Sequence, residues 1–483
     1  MIKRASVSSS TLSISGQCRC DSKYEIFVSQ DSWNAFQFNG NLQAVGDLLL
    51  QLPIKKVSKG ELNGEYYLIN ISDQEPGNGI VNYNNVALTD TINSDKNLLT
   101  DCDIMVSKLG MTRGYIYLKP NIPSDLIGSS EFIPYKLKDS ANSYFYLYLL
   151  LMPQMKNAYR CLETGKTPSH KRVNPAEFLK IKVPAIDSDV ISKSNKEIEE
   201  LLKQIQALKA KLISNQDIVD EVFSHHFSLD SNLRNNLHKG MTFGTQSSTN
   251  THFFTFHTSL NQFSMTDGLR FSARSIYPIF ICLDNSIKSR EYISIKELVK
   301  EDIHRGKSPN YNTSGEIPVV KTAHLTNGEI IISEEEFVTK ANLEDNPLAK
   351  VVYGDILIAS TGKPSIGKVD LMEHKIEMFA DGHISILRIN EKKCLKKFLV
   401  YYLRSVLGSY QIEKIYVGST NQIEIYPEQI GNIILPIVSL STQLNIINEI
   451  EERTTAQNKI LLRIKQLRAQ IDEIISRSLL IDN

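Results

Sequence analysis

Two short loops carry the residue types best able to do chemistry in this chain, and that chemistry is the recognition of anions and hydrogen-bonding edges. In Gly165-Lys-Thr-Pro-Ser-His-Lys-Arg172, the side chains of Lys166, Thr167, Ser169, His170, Lys171 and Arg172 set cations beside small donors. Such a mixture suits phosphates and the edges of nucleic-acid bases alike. The stretch from Lys156 to Lys182 holds seven Lys or Arg against two Glu, an excess of +5 in a chain whose 54 basic and 54 acidic residues cancel. The second loop, Gly418-Ser-Thr-Asn-Gln-Ile423, is uncharged. Its Ser419, Asn421 and Gln422 are hydrogen-bonding groups, and Asn and Gln are the side chains that pair with adenine in a major groove. Upstream of it, His304, Arg305 and Lys307, with Lys321 and His324, supply basic character, and Lys363 and Lys368 flank a Gly-rich turn that includes Thr361.

Other chemistries find little support. Six cysteines are scattered without zinc-like or disulfide-like spacing, Cys18-Arg-Cys20 being a lone C-x-C, so reduced thiols and no metal are expected. His252 and His257 stand five apart with no carboxylate or cysteine partner in view, which favours a packed strand or linker over a ligand pair. Gly362-Lys-Pro-Ser-Ile-Gly367 resembles a phosphate-binding loop only superficially, because Pro364 and the spacing are wrong for one. Asn-Pro-Pro-Tyr is absent, and no Gly-rich loop follows a strand in cofactor-binding style. No histidine, cysteine and carboxylate grouping recurs in both halves, so a recognition protein is expected in place of an enzyme, with no catalytic residue, no metal and no cofactor of its own. A polar N-terminus and a longest apolar run too short for a bilayer predict a cytoplasmic protein. Neutral net charge means that nucleic-acid binding must come from local patches.

The elements that hold these loops occur twice. At an offset of 252 residues Asp103 falls on Asp355, Gly110 on Gly362, Pro175 on Pro427 and Pro184 on Pro436. After the last proline of each copy comes a charged segment with helical periodicity and no glycine or proline. The first carries an apolar seam at Ile198, Leu201, Ile205, Leu208, Leu212, Val219 and Val222, interrupted at Asn215. The second is capped at Ser439 and carries Leu444, Ile447, Ile450, Ile460, Ile464, Leu467, Ile471 and Ile474. So narrow a seam on so long a helix needs a partner helix, and the other copy is the nearest candidate. The expected architecture is mixed α/β (α+β): two similar globular domains with two long helices in an antiparallel coiled coil. Its expected bounds are a first domain at 1–185, a first helix at 186–225, a second domain at 226–437 (226–270 as linker) and a second helix at 438–483. Single helices are expected near 143–162 and 396–411 within the domains.

Each lobe resembles the target recognition domain of Type I restriction–modification specificity subunits. The second is the nearer match. Gly315-Glu-Ile-Pro-Val-Val-Lys-Thr-Ala-His-Leu325 is similar to the family's opening strands, Gly354-Asp-Ile-Leu-Ile-Ala-Ser-Thr-Gly362 with Ile366-Gly-Lys368 to its most recognisable motif, and Ile433-Ile-Leu-Pro436 to its closing one. In the first lobe Cys102 replaces the glycine before Asp103. The resemblance implies two domains that each read one half of a split double-stranded DNA target. It also implies helices that dock two adenine methyltransferase subunits, S-adenosylmethionine on those partners, and a restriction subunit able to join them. A Type IIB specificity chain is similar in the same respects. DNA contacts are then expected from Lys108, Arg113, Lys166, Thr167, Ser169, His170, Lys171 and Arg172. In the second lobe they are expected from Arg305, Lys307, Lys321, His324, Thr361, Lys363, Lys368, Ser419, Asn421 and Gln422. A coiled-coil scaffold with two protein- or ligand-binding lobes is the alternative, which neutral net charge favours.

Overall fold

The computed structural model describes residues 21–480 except 39, 61, 63, 168–169, 230–272 and 420–421. Cys18, Cys20, His252, His257, Ser169 and Asn421 lie outside the described residues, and only the backbone of Ser419 is described. The chain divides into two units, Met1–Lys211 with Ile460–Asn483, and Leu212–Lys459.

Strands of the first unit are β1 (Leu42–Ala44), β2 (Leu49–Gln51), β3 (Lys56–Val57), β4 (Tyr66–Ile69), β5 (Ala87–Thr89) and β6 (Lys96–Leu98). They continue with β7 (Ile104–Ser107), β8 (Ile116–Leu118), β9 (Leu126–Ser129), β10 (Phe132–Leu137) and β11 (Lys182–Pro184). The second unit has β12 (Tyr292–Ser294), β13 (His304–Arg305), β14 (Ile317–Val320), β15 (Phe337–Val338), β16 (Lys350–Val351) and β17 (Ile356–Ala359). Its remaining strands are β18 (Val369–Leu371), β19 (Met378–Ala380), β20 (Ile384–Leu387), β21 (Val417–Ser419), β22 (Gln422–Glu424) and β23 (Ile434–Pro436). The longer helices are α1 (Ser143–Leu151), α2 (Pro153–Leu162), α3 (Ser188–Lys209), α4 (Asn215–His226), α5 (Pro278–Lys288), α6 (Lys396–Arg404), α7 (Val406–Ile415) and α8 (Leu440–Leu480).

The repeat seen in the sequence is a repeat of topology. One sheet runs β2-β10-β7-β8 in the first unit and β13-β20-β17-β18 in the second. The central strands β7 and β17 are buried along their whole length, as a continuous apolar run requires when both faces are covered. The other sheet runs β3-β6-β9-β4-β5 against β16-β19-β14-β15, and in both the middle pair, β4 with β9 and β14 with β19, is parallel. Short antiparallel ribbons, β1 with β11 and β12 with β23, end on Pro184 and Pro436, where a residue without an N–H closes an edge. The mixed α/β expectation holds.

The repeated aspartate fastens a strand. Asp103 accepts from the Leu137 backbone at 3.0 Å and from Lys136 Nζ at 2.8 Å. Asp355 accepts from Arg388 Nε at 2.9 Å and Nη2 at 3.0 Å. Lys136 and Arg388 stand at the same offset of 252, so the carboxylate–cation pair is duplicated along with the strands that it joins.

Three expected helices are broken. The one expected over 143–162 stops at Met152, because Pro153 lacks an N–H and pushes the residue before it out of the helical region (ψ 149°). That expected over 396–411 breaks at Ser405, where Asp220 takes the N–H of Val406; a Cβ on Gly408 would lie 2.3 Å from the Tyr402 carbonyl, so the two pieces pack too closely for any side chain there. The first long helix, expected over 186–225, is α3 and α4. Ser214 accepts from the Asp217 backbone at 3.0 Å and caps a fresh helix, so Asn215 opens α4 and does not interrupt a seam.

The second long helix is continuous over 41 residues, roughly 60 Å at 1.5 Å per residue. Ser439 caps it, accepting from the Thr442 backbone at 3.1 Å. In the first unit Ser194 meets Ser478 at 2.8 Å, and Arg477 pairs with Glu197 at 2.6 Å. Lys209 and Arg468 both reach Glu75, at 3.2 and 2.8 Å. In the second unit the Ile213 backbone donates to Gln457, Glu221 pairs with Arg453, and His226 meets Glu449. Rising numbers on one strand of the pair meet falling numbers on the other, so α3 and α4 each run antiparallel to the part of α8 in their own unit. The seam positions Ile198, Ile205, Val219, Val222, Ile447, Ile450, Ile464, Leu467, Ile471 and Ile474 are buried, whereas Leu444, with Leu461 and Leu462, is exposed. Among the described residues no helix is long and apolar enough to cross a membrane.

Candidate nucleic-acid interface

Both lobes build one surface feature from the same backbone bonds. After β7 the chain turns at Gly110 (φ 60°), whose N–H donates to the Lys171 carbonyl at 3.0 Å, while the Val173 N–H donates to the Lys108 carbonyl at 2.9 Å. After β17 it turns at Gly362 (φ 83°), whose N–H donates to the Ile423 carbonyl at 3.0 Å, while the Ile425 N–H donates to Ser360 at 2.9 Å. Leu109 bridges Arg172 as Thr361 bridges Glu424. Every one of these pairs is offset by 252.

Each glycine turn therefore grips the base of a hairpin. In the first lobe Thr164 and Arg172 exchange backbone bonds at 2.8 and 2.9 Å; in the second, Val417 pairs with Glu424. Gly165 (φ 121°) and Gly418 (φ 96°) open the two hairpins. A Cβ on either would sit 2.3 Å from the His170 carbonyl or 2.0 Å from that of Gln422, so the tight crossing and the backbone angle both require glycine. The described residues singled out in each loop and its neighbouring turn thus form one structural unit per lobe.

The electrostatics are more balanced than the count of cations suggests. Arg172 donates twice through Nε and once through Nη2 to the Glu131 carboxylate, at 2.9–3.3 Å, which holds its guanidinium above the ordinary arginine range. Lys108 lies 3.8 Å from the same carboxylate, and Lys171 lies 3.9 Å from Glu163. In the second lobe Arg305 bonds Glu424 and the Ile425 carbonyl and stacks 5.0 Å over the Tyr426 ring. The hydrogen bond from Arg305 pulls Glu424 below the usual carboxylate range. Lys321 pairs with Glu336 at 2.6 Å and sits 4.8 Å over Tyr311, and His324 lies 3.9 Å from Glu336.

These acids and the Tyr426 ring were not singled out from the sequence. One signal was available: Arg172 and Glu424 occupy the same repeat position with opposite charge, and each is held by a partner outside the hairpin, Glu131 in the turn between β9 and β10 and Arg305 on β13. The pair ties the hairpin to the rest of its lobe in both cases, with its polarity reversed. Among the described residues Arg113, Lys166, Lys307 and Lys368 have no acidic partner, and Arg113, Lys166 and Lys307 are exposed, as is Gln422. Thr167 and His170 hydrogen-bond each other at 2.7 Å across the first hairpin. Thr361 and Lys363 lie in the second glycine turn and are half-buried. Gly306, between Arg305 and Lys307, allows a crossing that a Cβ would block at 2.1 Å from the Ala380 carbonyl. The arrangement offers solvent-facing cations able to meet phosphates and hairpins seated by backbone bonds.

Residues 288–474 match the family model of the Type I restriction modification DNA specificity domain. That span contains the second lobe's glycine turn, its hairpin and most of α8. No curated protein matches the chain. Among solved structures, a chain of a type I R-M system described for its complex assembly and conformational transition is 12% identical, with a TM-score of 0.45 over 92% of this chain and 99% of that one. The Type-I restriction-modification S subunit from M. genitalium is 13% identical, with a TM-score of 0.39 over 92% and 96%. The HsdS subunit from Thermoanaerobacter tengcongensis is 12% identical, with a TM-score of 0.33 over 93% and 99%.

Proposed function

We propose that this chain, whose residues 288–474 match a Type I restriction modification DNA specificity domain, is the sequence-specific DNA-recognition subunit of a restriction–modification complex. One observation carries the reading furthest. The backbone bonds that join glycine turn to hairpin within the matched residues recur, pair for pair, in the first lobe outside them, and an ion pair of reversed polarity braces each hairpin. Two readers in one chain call for a bipartite target. Phosphate contacts from Arg113, Lys166, Lys307 and Lys368 would set register, and the hairpin side chains would read base edges.

The chain supplies no chemistry to the DNA in this reading. Methyl transfer belongs to adenine methyltransferase subunits that carry S-adenosylmethionine, and cleavage to a restriction subunit; the long helices are their docking surface. Domain bounds follow the repeat, with the readers at 42–184 and 292–436. A coiled-coil scaffold would have no reason to duplicate a hairpin whose sequence is rich in hydrogen-bonding side chains. Selection of bound duplexes from a random pool by the complex of this chain with its methyltransferase tests the reading. Two enriched half-sites separated by unspecified bases are expected, and a single enriched block or no enrichment would contradict it.

A further inference from the structure

We infer that His225, His226 and Glu449 form a binding site for a borderline divalent metal ion of the zinc class, joining α4 to α8. Among the described residues these three bring their ligating atoms within 4.8 Å of one another. His226 Nε2 and Glu449 Oε2 are 3.0 Å apart, and the two imidazole rings are 5.5 Å apart between centroids. Two ligands at ~2.0–2.1 Å from a tetrahedral ion lie about 3.3 Å from each other. The His226–Glu449 pair is thus already close to the spacing of two ligands on one metal, and a change of rotamer at exposed His225 brings in the third.

The donor set decides the ion. Two neutral imidazoles with one carboxylate select zinc and its neighbours over magnesium, which demands oxygen ligands and gives up water reluctantly. Three protein ligands leave a fourth position to water. The electrostatics agree: both histidines stand in the last turn of α4, where unsatisfied carbonyls favour positive charge. The nearest cation along the helix pair, Arg453, is one turn away on α8 and bound by Glu221, one turn away on α4. Arg290, near the end of α4, is taken up by the Phe227 carbonyl at 3.0 Å. Bound zinc would staple a 12-residue helix, severed from α3 at Ser214, to the long helix beside it. This site does not depend on the DNA-recognition reading.

The test is zinc titration of the chelator-treated full chain, with cobalt as a spectroscopic probe. One zinc ion per chain is expected, with tetrahedral cobalt bands in the visible and no competition from millimolar magnesium. His225→Gln and Glu449→Gln should each weaken zinc binding about tenfold or more. His225 is exposed, so its variant keeps the fold, which circular dichroism verifies, and it carries the test should Glu449→Gln prove unstable. Absence of zinc uptake, or uptake unchanged in folded His225→Gln, would overturn the site; the latter would leave His226 and Glu449 as a hydrogen-bonded pair.

Discussion

Exchanging the charges of the first-lobe brace, Arg172→Glu with Glu131→Arg, separates a structural arginine from one that grips DNA. The pair makes three N–H···O contacts at 2.9–3.3 Å, with side-chain exposures of 38% for Arg172 and 18% for Glu131. Its bidentate geometry lifts it above exposed ion pairs, worth ~0.2–1 kcal/mol, and its partial exposure keeps it below the ~3–5 kcal/mol of breaking a buried one. A coupling energy of about 1–1.5 kcal/mol follows. Urea unfolding of the four proteins of the double-mutant cycle measures it. Arg172→Glu alone should lose about 2 kcal/mol, because the pair is lost and two carboxylates then face each other. The exchange should regain about half, since Lys108, 3.8 Å from Glu131, would then confront an arginine. Affinity of the assembled complex for DNA should fall and recover in step with stability. A coupling below about 0.3 kcal/mol would refute the brace; an exchanged protein that recovers stability and not affinity would refute a purely structural role and make Arg172 a phosphate contact.

Lys166→Ala and Arg113→Ala should leave stability unchanged and weaken DNA binding, each lowering the slope of log affinity against log salt by up to ~0.9; an unchanged slope in both would remove them from the interface. Glu75, held below the ordinary carboxylate range chiefly by its hydrogen bond from Arg468, is lower in pKa folded than unfolded, so its contribution is present above the unfolded value and is lost as pH falls through the folded one. Acid should therefore destabilise the chain less in Glu75→Gln, and identical pH profiles would contradict this. Arg404→Met would strand Asp370, buried against Arg404 at 2.6 Å, and should cost ~3–5 kcal/mol in urea unfolding; a loss under about 1 kcal/mol would show that the pair is dispensable. The isolated chain should incorporate no labelled methyl group into unmodified DNA, and incorporation without a partner would contradict a non-catalytic subunit.

Much of the fold was legible because the chain states it twice. Asp103 and Asp355, Gly110 and Gly362, and Pro184 and Pro436 mark the same strand, turn and ribbon, and the offset that joins them in sequence joins their hydrogen bonds. Helix continuity was less so. Pro153 announces its break locally, but the break at Ser405 depends on Asp220, 185 residues earlier, which no local pattern reveals. The candidate site was legible as loops and illegible as charges. A count of cations from Lys156 to Lys182 cannot know that Glu131 and Glu163 fold against them, nor that Arg305 serves the hairpin base through Glu424. Ion pairing is a tertiary property, and the cations left without an acidic partner are those we propose for DNA.

The most direct measurement is the methylome of cells carrying the assembled complex, read for the natural chain and for two hairpin variants. One variant changes Lys166 and Thr167 in the first lobe; the other changes Asn421 and Gln422 in the second. A bipartite methylated site is expected, in which each variant relaxes or alters one half and leaves the other intact. Both halves shifting together under either variant, or neither shifting in variants that still methylate, would contradict the claim that each lobe reads its own half through its hairpin.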